Sequence, residues 1–256
     1  MRKLSVIVLF LVLAVSCKKD PITQSTNNND TGFVQTNSVD FQITNMVGSM
    51  PLALNTQTYI NENLDTFSVS LFKYYISNIK LKRDDGYEFV EPESYRLIKQ
   101  NDSTSLSFSI PNVPLGNYIS MEFIIGVDSL RNCSGAQTGA LDPIHDMFWD
   151  WAQGYIFAKM EGSCNASPFG NFFQHIGGFT GQWNTIVKSS PSFGTNLIQV
   201  VSDKVPKVMM KTDILEWFKN PSTIDLAGYS SVAIGKKAHE IALNYADMIS
   251  VTAIVN

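Results

Sequence analysis

The protein has 256 residues, a formal net charge of -4 and only 16% charged residues. This balance offers no basic surface for a phosphate backbone, so we do not expect nucleic-acid binding. No His-Glu-x-x-His helix, phosphate-binding glycine loop or dinucleotide fingerprint occurs, and none of the three histidines lies in the sequence context of a catalytic triad. The sequence therefore predicts a protein that is not an enzyme.

The N-terminal residues predict export. Residues 1–3 are basic, and residues 4–15 are apolar but too few to span a bilayer comfortably, which is typical of a secretory signal peptide. Residues 13–17 resemble a bacterial lipobox, in which Cys17 would carry the lipid; a cleaved signal with an incidental cysteine is the alternative. We therefore expect attachment by a lipid anchor alone to the cell envelope, on the periplasmic or surface side of a bacterial membrane.

The rest of the chain divides into a tether and one domain. Residues 18–38 are mostly Lys, Asp, Thr, Ser, Gln and Asn, so they predict a flexible tether. Residues 39–256 suffice for one domain with a sizeable core. Because exported proteins meet an oxidising compartment, Cys133 and Cys164 predict a disulfide that closes a loop of about thirty residues, worth roughly 3 kcal/mol. A metal site that joins these cysteines to histidines is the alternative.

Alternating apolar and polar residues predict many short strands. The Asp85-Gly86 pair predicts an antiparallel hairpin. Residues 214–218, capped by Asp213, and residues 237–248 predict two helices near the C-terminus. We expect an all-β fold, an antiparallel β-sandwich with a few short helices. The strand at residues 154–162 should be buried on both faces. The predicted strands cover residues 39–43, 67–71, 76–81, 106–110, 118–127, 154–162, 172–176, 197–201 and 205–210.

Residues 142–155, here called the tryptophan segment, contain two of the four tryptophans and one of the three histidines. Imidazole and thioether groups suit copper and other late first-row metals, so His145 and Met147 beside indole rings are candidates for a soft metal or redox site. The alternative is an aromatic core segment, in which the histidine satisfies a hydrogen bond and Met147 fills a gap against aromatic rings.

Four stretches carry a resemblance to a known family. Residues 71–81, with the core Tyr-Tyr-Ile-Ser-Asn-Ile-Lys-Leu, residues 123–128, residues 146–157 and residues 175–178 resemble the MbnP-like family. That family is named for a periplasmic protein of methanobactin operons. The most specific element is Met-aromatic-Trp-x-Trp-x-x-Gly-Tyr, and the resemblance extends over most of the chain from about Asp40 onward.

The resemblance implies a copper-binding antiparallel β-sandwich. It also implies a dihaem peroxidase-like (MbnH-like) partner that oxidises one tryptophan to kynurenine, which joins histidines at the copper ion. On this chain it points to His145 and His175 as ligands, with Trp149 or Trp151 as the modified residue. A helical turn would bring His145 and Trp149 to one face and favour Trp149, whereas an extended segment would put both tryptophans on one face. Met147 is a further candidate ligand.

Other metal candidates are weaker. Calcium is considered because Asp128, Asn132, Asp142 and Asp146 could supply oxygen ligands, although their spacing matches no known calcium loop. The third histidine, His239, lies beside lysines at a predicted helix start, and a solvated surface role is expected.

Three functions stay open at this point. The leading hypothesis is a lipid-anchored copper-handling protein of the cell envelope. The second is a surface module that binds a glycan or a protein through a stacking platform of Trp149, Trp151 and Tyr155. The third is aromatic packing without any site. Burial of the two tryptophans separates these hypotheses.

Overall fold

The computed structural model describes residues 34–135 and 137–256. Cys17, the predicted signal peptide and most of the predicted tether lie outside the described residues. Within the described part, no helix combines the length and the apolar character needed to cross a membrane.

The described residues form two short helices, α1 (Ser129–Cys133) and α2 (Lys236–Tyr245), and four 3-10 turns (Ser103–Leu106, Gly139–Leu141, Pro143–His145 and Ile214–Phe218). Strands dominate the fold: β1 (Thr36–Val47), β2 (Met50–Pro51), β3 (Tyr59–Ile60), β4 (Thr66–Arg83), β5 (Glu88–Val90), β6 (Tyr95–Lys99), β7 (Ser107–Pro114), β8 (Gly116–Ile125), β9 (Phe148–Asp150), β10 (Gly154–Cys164), β11 (Asn171–Gly177), β12 (Val187–Ser189), β13 (Ile198–Val200), β14 (Lys207–Asp213), β15 (Ser231–Val232) and β16 (Ile249–Val255).

The strands form a smaller and a larger sheet. The smaller sheet has the order β16-β14-β1-β2, with β7 also beside β1. The larger sheet has the order β12-β8-β4-β10-β11-β15, and β3, β5, β6, β9 and β13 extend it. The pairs β1–β14 and β11–β15 are parallel, whereas the other pairs in the described residues are antiparallel. The predicted all-β, sandwich-like fold is confirmed, with mixed rather than purely antiparallel sheets.

The main core lies between the two sheets. Val39 and Phe41 of β1 are almost completely buried and belong to one apolar cluster with Tyr74 of β4 and Met160 of β10. Alternate strand residues point to opposite faces, which explains why the intervening residue Asp40 is exposed. Burial of each apolar side chain contributes roughly 1.5–3 kcal/mol to the free energy of folding, so this cluster holds the two sheets together.

A second, smaller apolar cluster covers the outer face of the larger sheet. It contains Tyr75, whose sequence neighbour Tyr74 points into the main core, and it includes Tyr155 and Phe157 of β10 together with Met147 of the tryptophan segment. Both faces of β10 are therefore buried over its first seven residues. The predicted two-sided burial of this strand is confirmed for that half.

Several element boundaries differ from the predictions. Residues 67–71 and 76–81 belong to one strand, β4, whose alternation changes phase twice. The first change lies between Val69 and Leu71, where the register to β10 shifts, and the second lies at Asn78, which has a left-handed φ of 56° and where the register to β8 shifts. The Asp85-Gly86 turn joins β4 to β5 as predicted. The second helix ends at Tyr245, and β16, which the sequence analysis missed, begins at Ile249.

The predicted Cys133–Cys164 disulfide is wrong, because both thiols are free. Cys133 ends α1, where the neighbouring Asn132 accepts a hydrogen bond at 2.9 Å from the backbone N–H of Tyr155, at the start of β10. Cys164 ends the same strand. Nine residues of strand span about 30 Å, whereas a disulfide requires Cα atoms within about 7 Å.

Candidate functional site

Residues 142–151 of the tryptophan segment, here called the strap, cross the outer face of the larger sheet. Over β4, the carbonyl of His145 accepts a hydrogen bond from Lys73 Nζ at 3.0 Å. Over β10, the carboxylate of Asp146 lies 2.5 Å from Lys159 Nζ. Trp149 then lies against Gly177 of β11. The segment thus brings a histidine and a tryptophan onto the surface formed by three neighbouring strands.

Local sequence explains the shape of this strap. Asp142 caps the 3-10 turn Pro143–His145 by accepting a hydrogen bond from the N–H of Ile144 at 2.9 Å. Asp146 ends the turn with a left-handed φ of 58°. The chain is then extended through Trp149 in β9, which pairs with β10. The predicted helical turn that would bring His145 and Trp149 to one face is therefore wrong. The backbone is extended at Trp149.

The two tryptophans have different surroundings. Trp149 is half-buried, and its ring lies so close to Gly177 that a Cβ there would be 2.6 Å from Cζ3. His175 lies two residues before Gly177 on β11, so its side chain shares that face with the Trp149 indole. Trp151 is 72% exposed and rests on Gly135. The structure therefore brings Trp149, rather than Trp151, to the face that carries His175.

A stacking platform of Trp149, Trp151 and Tyr155 is not formed. Tyr155 is completely buried, and its hydroxyl donates a hydrogen bond to the carbonyl of Leu141 at 2.9 Å. Trp149 is covered on one side by β11. An exposed row of three rings, which ligand stacking requires, is therefore absent from this part of the described chain.

His175 has the surroundings of an oriented, neutral imidazole. Its Nε2 lies 2.7 Å from Glu161 Oε1, so Nε2–H donates to that carboxylate and the Nδ1 lone pair faces away from it. Burial lowers the pKa of His175 below the usual 6.5, while the Glu161 hydrogen bond opposes this and the Lys159 charge adds to it. The ring is therefore available as a neutral nitrogen donor at neutral pH.

The other two candidate ligands lie on the strap. Nε2 of His145 is 3.0 Å from the carbonyl oxygen of Gly139, which leaves Nδ1 without a partner among the described residues. The backbone of His145 lies over β4, two strands from His175, or roughly 10 Å by the strand spacing. Met147 is completely buried in the second apolar cluster.

The remaining histidine lies apart from these residues. His239 is half-buried in α2, with Nδ1 2.7 Å from the carbonyl oxygen of Asn184 and its ring beside Trp183 at 5.7 Å between centroids. Its ring therefore makes specific contacts, unlike the solvated surface histidine expected from the sequence.

The calcium prediction has no support. Asp128 caps α1 and accepts a hydrogen bond from Tyr95, Asp142 caps a turn, Asp146 pairs with Lys159, and Asn132 binds the backbone of Val127. Within residues 34–135 and 137–256, no group of three or more His, Cys, Asp or Glu side chains is arranged to hold a metal ion.

The sequence analysis missed the charged residues that hold the strap. Lys73, Lys159 and Glu161 lie on neighbouring strands beside His175. One signal was present: Lys159 is a charged residue in a strand predicted to be buried on both faces, and a buried charge requires a partner.

A sequence model of the MbnP family matches residues 36–234, which is most of the chain. The chain belongs to the MbnP family. A solved structure, "MbnP from Methylosinus trichosporium", is 12% identical in sequence; the alignment covers 86% of this chain and 100% of that chain, with a TM-score of 0.51. At this identity the likeness shows the shared fold alone. No curated protein matches this chain.

The MbnP match contains the whole of the strap and the three strands beneath it. The MbnP family is associated with methanobactin, with copper and with the periplasm. Imidazole nitrogen suits copper, and the two imidazoles of His145 and His175 each have Nε2 within hydrogen-bond distance of an oxygen atom.

Proposed function

We propose that this protein binds copper on the outer face of its larger sheet and handles it in the cell envelope. The observation that carries the proposal is the arrangement at β11, where His175 shares one face with the Trp149 indole and donates Nε2–H to Glu161. A carboxylate on the second nitrogen of an imidazole fixes the tautomer and ring orientation that a metal requires. Bound copper would add a redox-active ion at this face.

We propose a ligand set that this arrangement supports. In this proposal His175 binds through Nδ1, and His145 supplies the second imidazole from the strap. Met147 is assigned to packing, because its side chain is completely buried among Tyr75, Tyr155 and other apolar residues. A thioether held in that cluster stabilises the strap from below.

Trp149 is the tryptophan that we propose is oxidised to kynurenine. Opening of the indole ring exposes an aryl amine and a ketone, which are donors that indole lacks, on the face that carries His175. Two equivalents of peroxide, used by a dihaem peroxidase-like partner of the kind that the family resemblance implies, cleave the indole C2–C3 bond and add two oxygen atoms, with release of two waters. Hydrolysis of the resulting N-formyl group then releases formate and leaves kynurenine. Trp151 rests on Gly135 and is exposed, so it is assigned no role at the metal.

Copper titration of purified metal-free protein tests the ligands. We expect His175→Ala and His145→Ala each to weaken copper binding by tenfold or more. Removal of a group that only hydrogen-bonds a metal ligand already lowers metal affinity roughly 10- to 100-fold. His239→Ala is the matched control and should bind like the unaltered protein, because His239 contacts Asn184 instead. Equal binding by all four proteins would remove the proposal.

Peptide mapping by mass spectrometry tests the modification. Protein isolated from its native host should carry the mass change of kynurenine at Trp149, with Trp151 unmodified. Unaltered masses at both positions would show that copper, if retained after dialysis, is held without an oxidised tryptophan.

A lipid anchor at Cys17 is the last part of the proposal. It is supported by the lipobox-like sequence Leu-Ala-Val-Ser-Cys at residues 13–17. We expect the unaltered protein to fractionate with membranes and the Cys17→Ser variant to lose the lipid. Recovery of unaltered protein entirely in the soluble fraction would contradict the anchor and leave the copper site untouched.

A further inference from the structure

Lys159 is a nearly buried charged residue at the centre of the candidate site. Only 4% of the residue is exposed. It lies on β10, directly opposite Lys73 of β4 on one side and directly opposite His175 of β11 on the other. Directly opposed residues of a sheet share a face, so these three side chains form one row across the outer surface.

A buried ammonium group is costly unless oxygen atoms surround it. Nζ of Lys159 has such partners on both sides: Asp146 Oδ2 at 2.5 Å and the Asp146 carbonyl at 3.2 Å from the strap, and Glu161 Oε1 at 3.8 Å from its own strand. The Glu161 oxygen at 3.8 Å is the same atom that lies 2.7 Å from His175 Nε2. One charged group therefore contacts both halves of the site.

Lys73 supports the strap at the neighbouring residue. Its Nζ donates a hydrogen bond to the His145 carbonyl at 3.0 Å, and burial together with the Lys159 charge lowers its pKa. The hydrogen bond of Lys73 Nζ goes to the strap, whereas Lys159 Nζ also lies 3.8 Å from Glu161, the partner of His175. This difference separates the roles of the two lysines.

We propose that Lys159 is a positioning residue that fixes the strap and the His175 ring relative to each other, so that Trp149 and the imidazole are held together before a metal arrives. This inference rests on the proposed copper function and deepens it. Through Asp146, Lys159 holds the corner of the strap three residues before Trp149. Through Glu161, it holds the carboxylate that sets the His175 tautomer.

The natural alternative to this role is simple stabilisation of the fold, and the chemistry distinguishes the two. Replacement of a buried ion pair by apolar groups is often neutral or stabilising. Because the Asp146 side chain is 75% exposed and would stay in contact with water, a lysine kept here only for stability could be replaced by methionine, which has a similar length, without consequence for the site. A positioning residue could not.

The test compares Lys159→Met with Lys188→Met, a matched control whose exposed ammonium pairs with Glu122. Two readouts use metal-free protein: amide hydrogen exchange of residues 142–151, and the nitrogen NMR signals of the His175 imidazole, which report its tautomer. We expect faster exchange and an altered His175 signal in Lys159→Met, and no change in Lys188→Met. Copper affinity should fall roughly 10- to 100-fold in Lys159→Met.

Two further variants keep the test decisive if Lys159→Met does not fold. Asp146→Asn, at a side chain that is 75% exposed, should release the strap and leave the His175 signal unchanged. Glu161→Gln should alter the His175 signal and leave exchange of the strap unchanged. Unaltered exchange and unaltered imidazole signals in the lysine variant, or in both of these, would overturn the positioning role.

The outcome for Lys159 is separable from the outcome for copper. If the unaltered protein binds no copper, the proposed function fails, yet exchange and NMR still decide whether Lys159 couples the strap to His175. If copper binds but Lys159→Met leaves affinity and both metal-free readouts unchanged, the function stands and the positioning role is removed.

Discussion

Trp149 can lie against β11 because residue 177 is glycine. A Cβ at this position would be 2.6 Å from Trp149 Cζ3 and 2.6 Å from the carbonyl oxygen of Tyr155, and neither distance is sterically possible. The backbone of Gly177 has no left-handed φ, so the restriction comes from space alone. The glycine therefore makes room for the indole beside His175.

We expect Gly177→Ala to displace the Trp149 ring and to cost roughly 1–3 kcal/mol of unfolding free energy, the usual effect of overpacking. Fluorine NMR of protein labelled with fluorotryptophan should show a shifted Trp149 signal, and urea unfolding should measure the loss. Gly228→Ala is the control, because a Cβ there meets only the flexible carboxylate of Asp225. Equal behaviour of the two variants would contradict the steric argument.

The ionisation of His175 links the candidate site to stability. Burial lowers its pKa in the folded protein below the value of about 6.5 expected in the unfolded chain. The unfolded chain therefore binds the proton more readily, and the stabilisation that is present above pH 6.5 is lost as the pH falls through the folded pKa.

In metal-free protein we expect the unfolding free energy to decrease as the pH falls below about 6.5, with a slope of up to about 1.4 kcal/mol per pH unit for one proton. His175→Gln should remove this part of the slope, whereas His239→Gln should keep it. Urea unfolding at a series of pH values measures the effect. An identical pH dependence in the His175 variant would show that another group is responsible.

At the scale of elements, the strands that alternate strongly were predictable. Residues 39–43 and 172–176 were found because apolar and polar residues alternate there and one face is buried. The three-residue strand β9 was not found, because its course depends on the cap at Asp142 and on the left-handed Asp146. A single capping residue and a single left-handed residue produce no alternation of apolar and polar residues, so periodicity gives no signal for this strand.

The length of β10 also decides the state of the cysteines. Export to an oxidising compartment favoured a disulfide. The sequence did not show, however, that Cys133 lies beside the start of β10 whereas Cys164 lies at its end. Cysteine spacing along a chain says little about separation across a sheet. Prediction of disulfides from sequence alone fails for this reason.

We expect a thiol reagent to label Cys133 rapidly in the folded protein, because it is exposed, and to label Cys164 only after unfolding, because it is 2% exposed. In the Cys17→Ser variant, which keeps two of the three cysteines, one thiol should therefore titrate under native conditions and two in denaturant, without reductant. Cys133→Ala removes the fast reaction and serves as the control. Absence of reactive thiols in denaturant would restore the disulfide.

At the scale of the whole molecule, the candidate site is assembled from stretches far apart in sequence. Lys73 and His145 are 72 residues apart, and Lys159 and Asp146 are 13 apart. The sequence identified the two histidines and both tryptophans through residue type and family resemblance. The sequence could not show that Lys73, Lys159 and His175 lie in one row, because only the register between β4, β10 and β11 brings these residues together.

The molecule has two apolar clusters of very different extent, and we expect them to differ in stability. Met160 is completely buried in the large cluster between the sheets, and Met147 is completely buried in the small cluster beneath the strap. Regions held by few apolar contacts open locally at lower free energy than the core. The strap can therefore open without unfolding the sandwich.

Methionine-to-alanine substitutions at these two positions test the difference with the same chemical change at equal burial. Met160→Ala should lower the global unfolding free energy by about 2–5 kcal/mol, as expected for a core cavity. Met147→Ala should lower it by clearly less, because the loss at residue 147 is limited by the free energy of opening the strap. Urea unfolding followed by far-ultraviolet circular dichroism measures both. Equal losses would mean that the strap and the sandwich unfold as one unit.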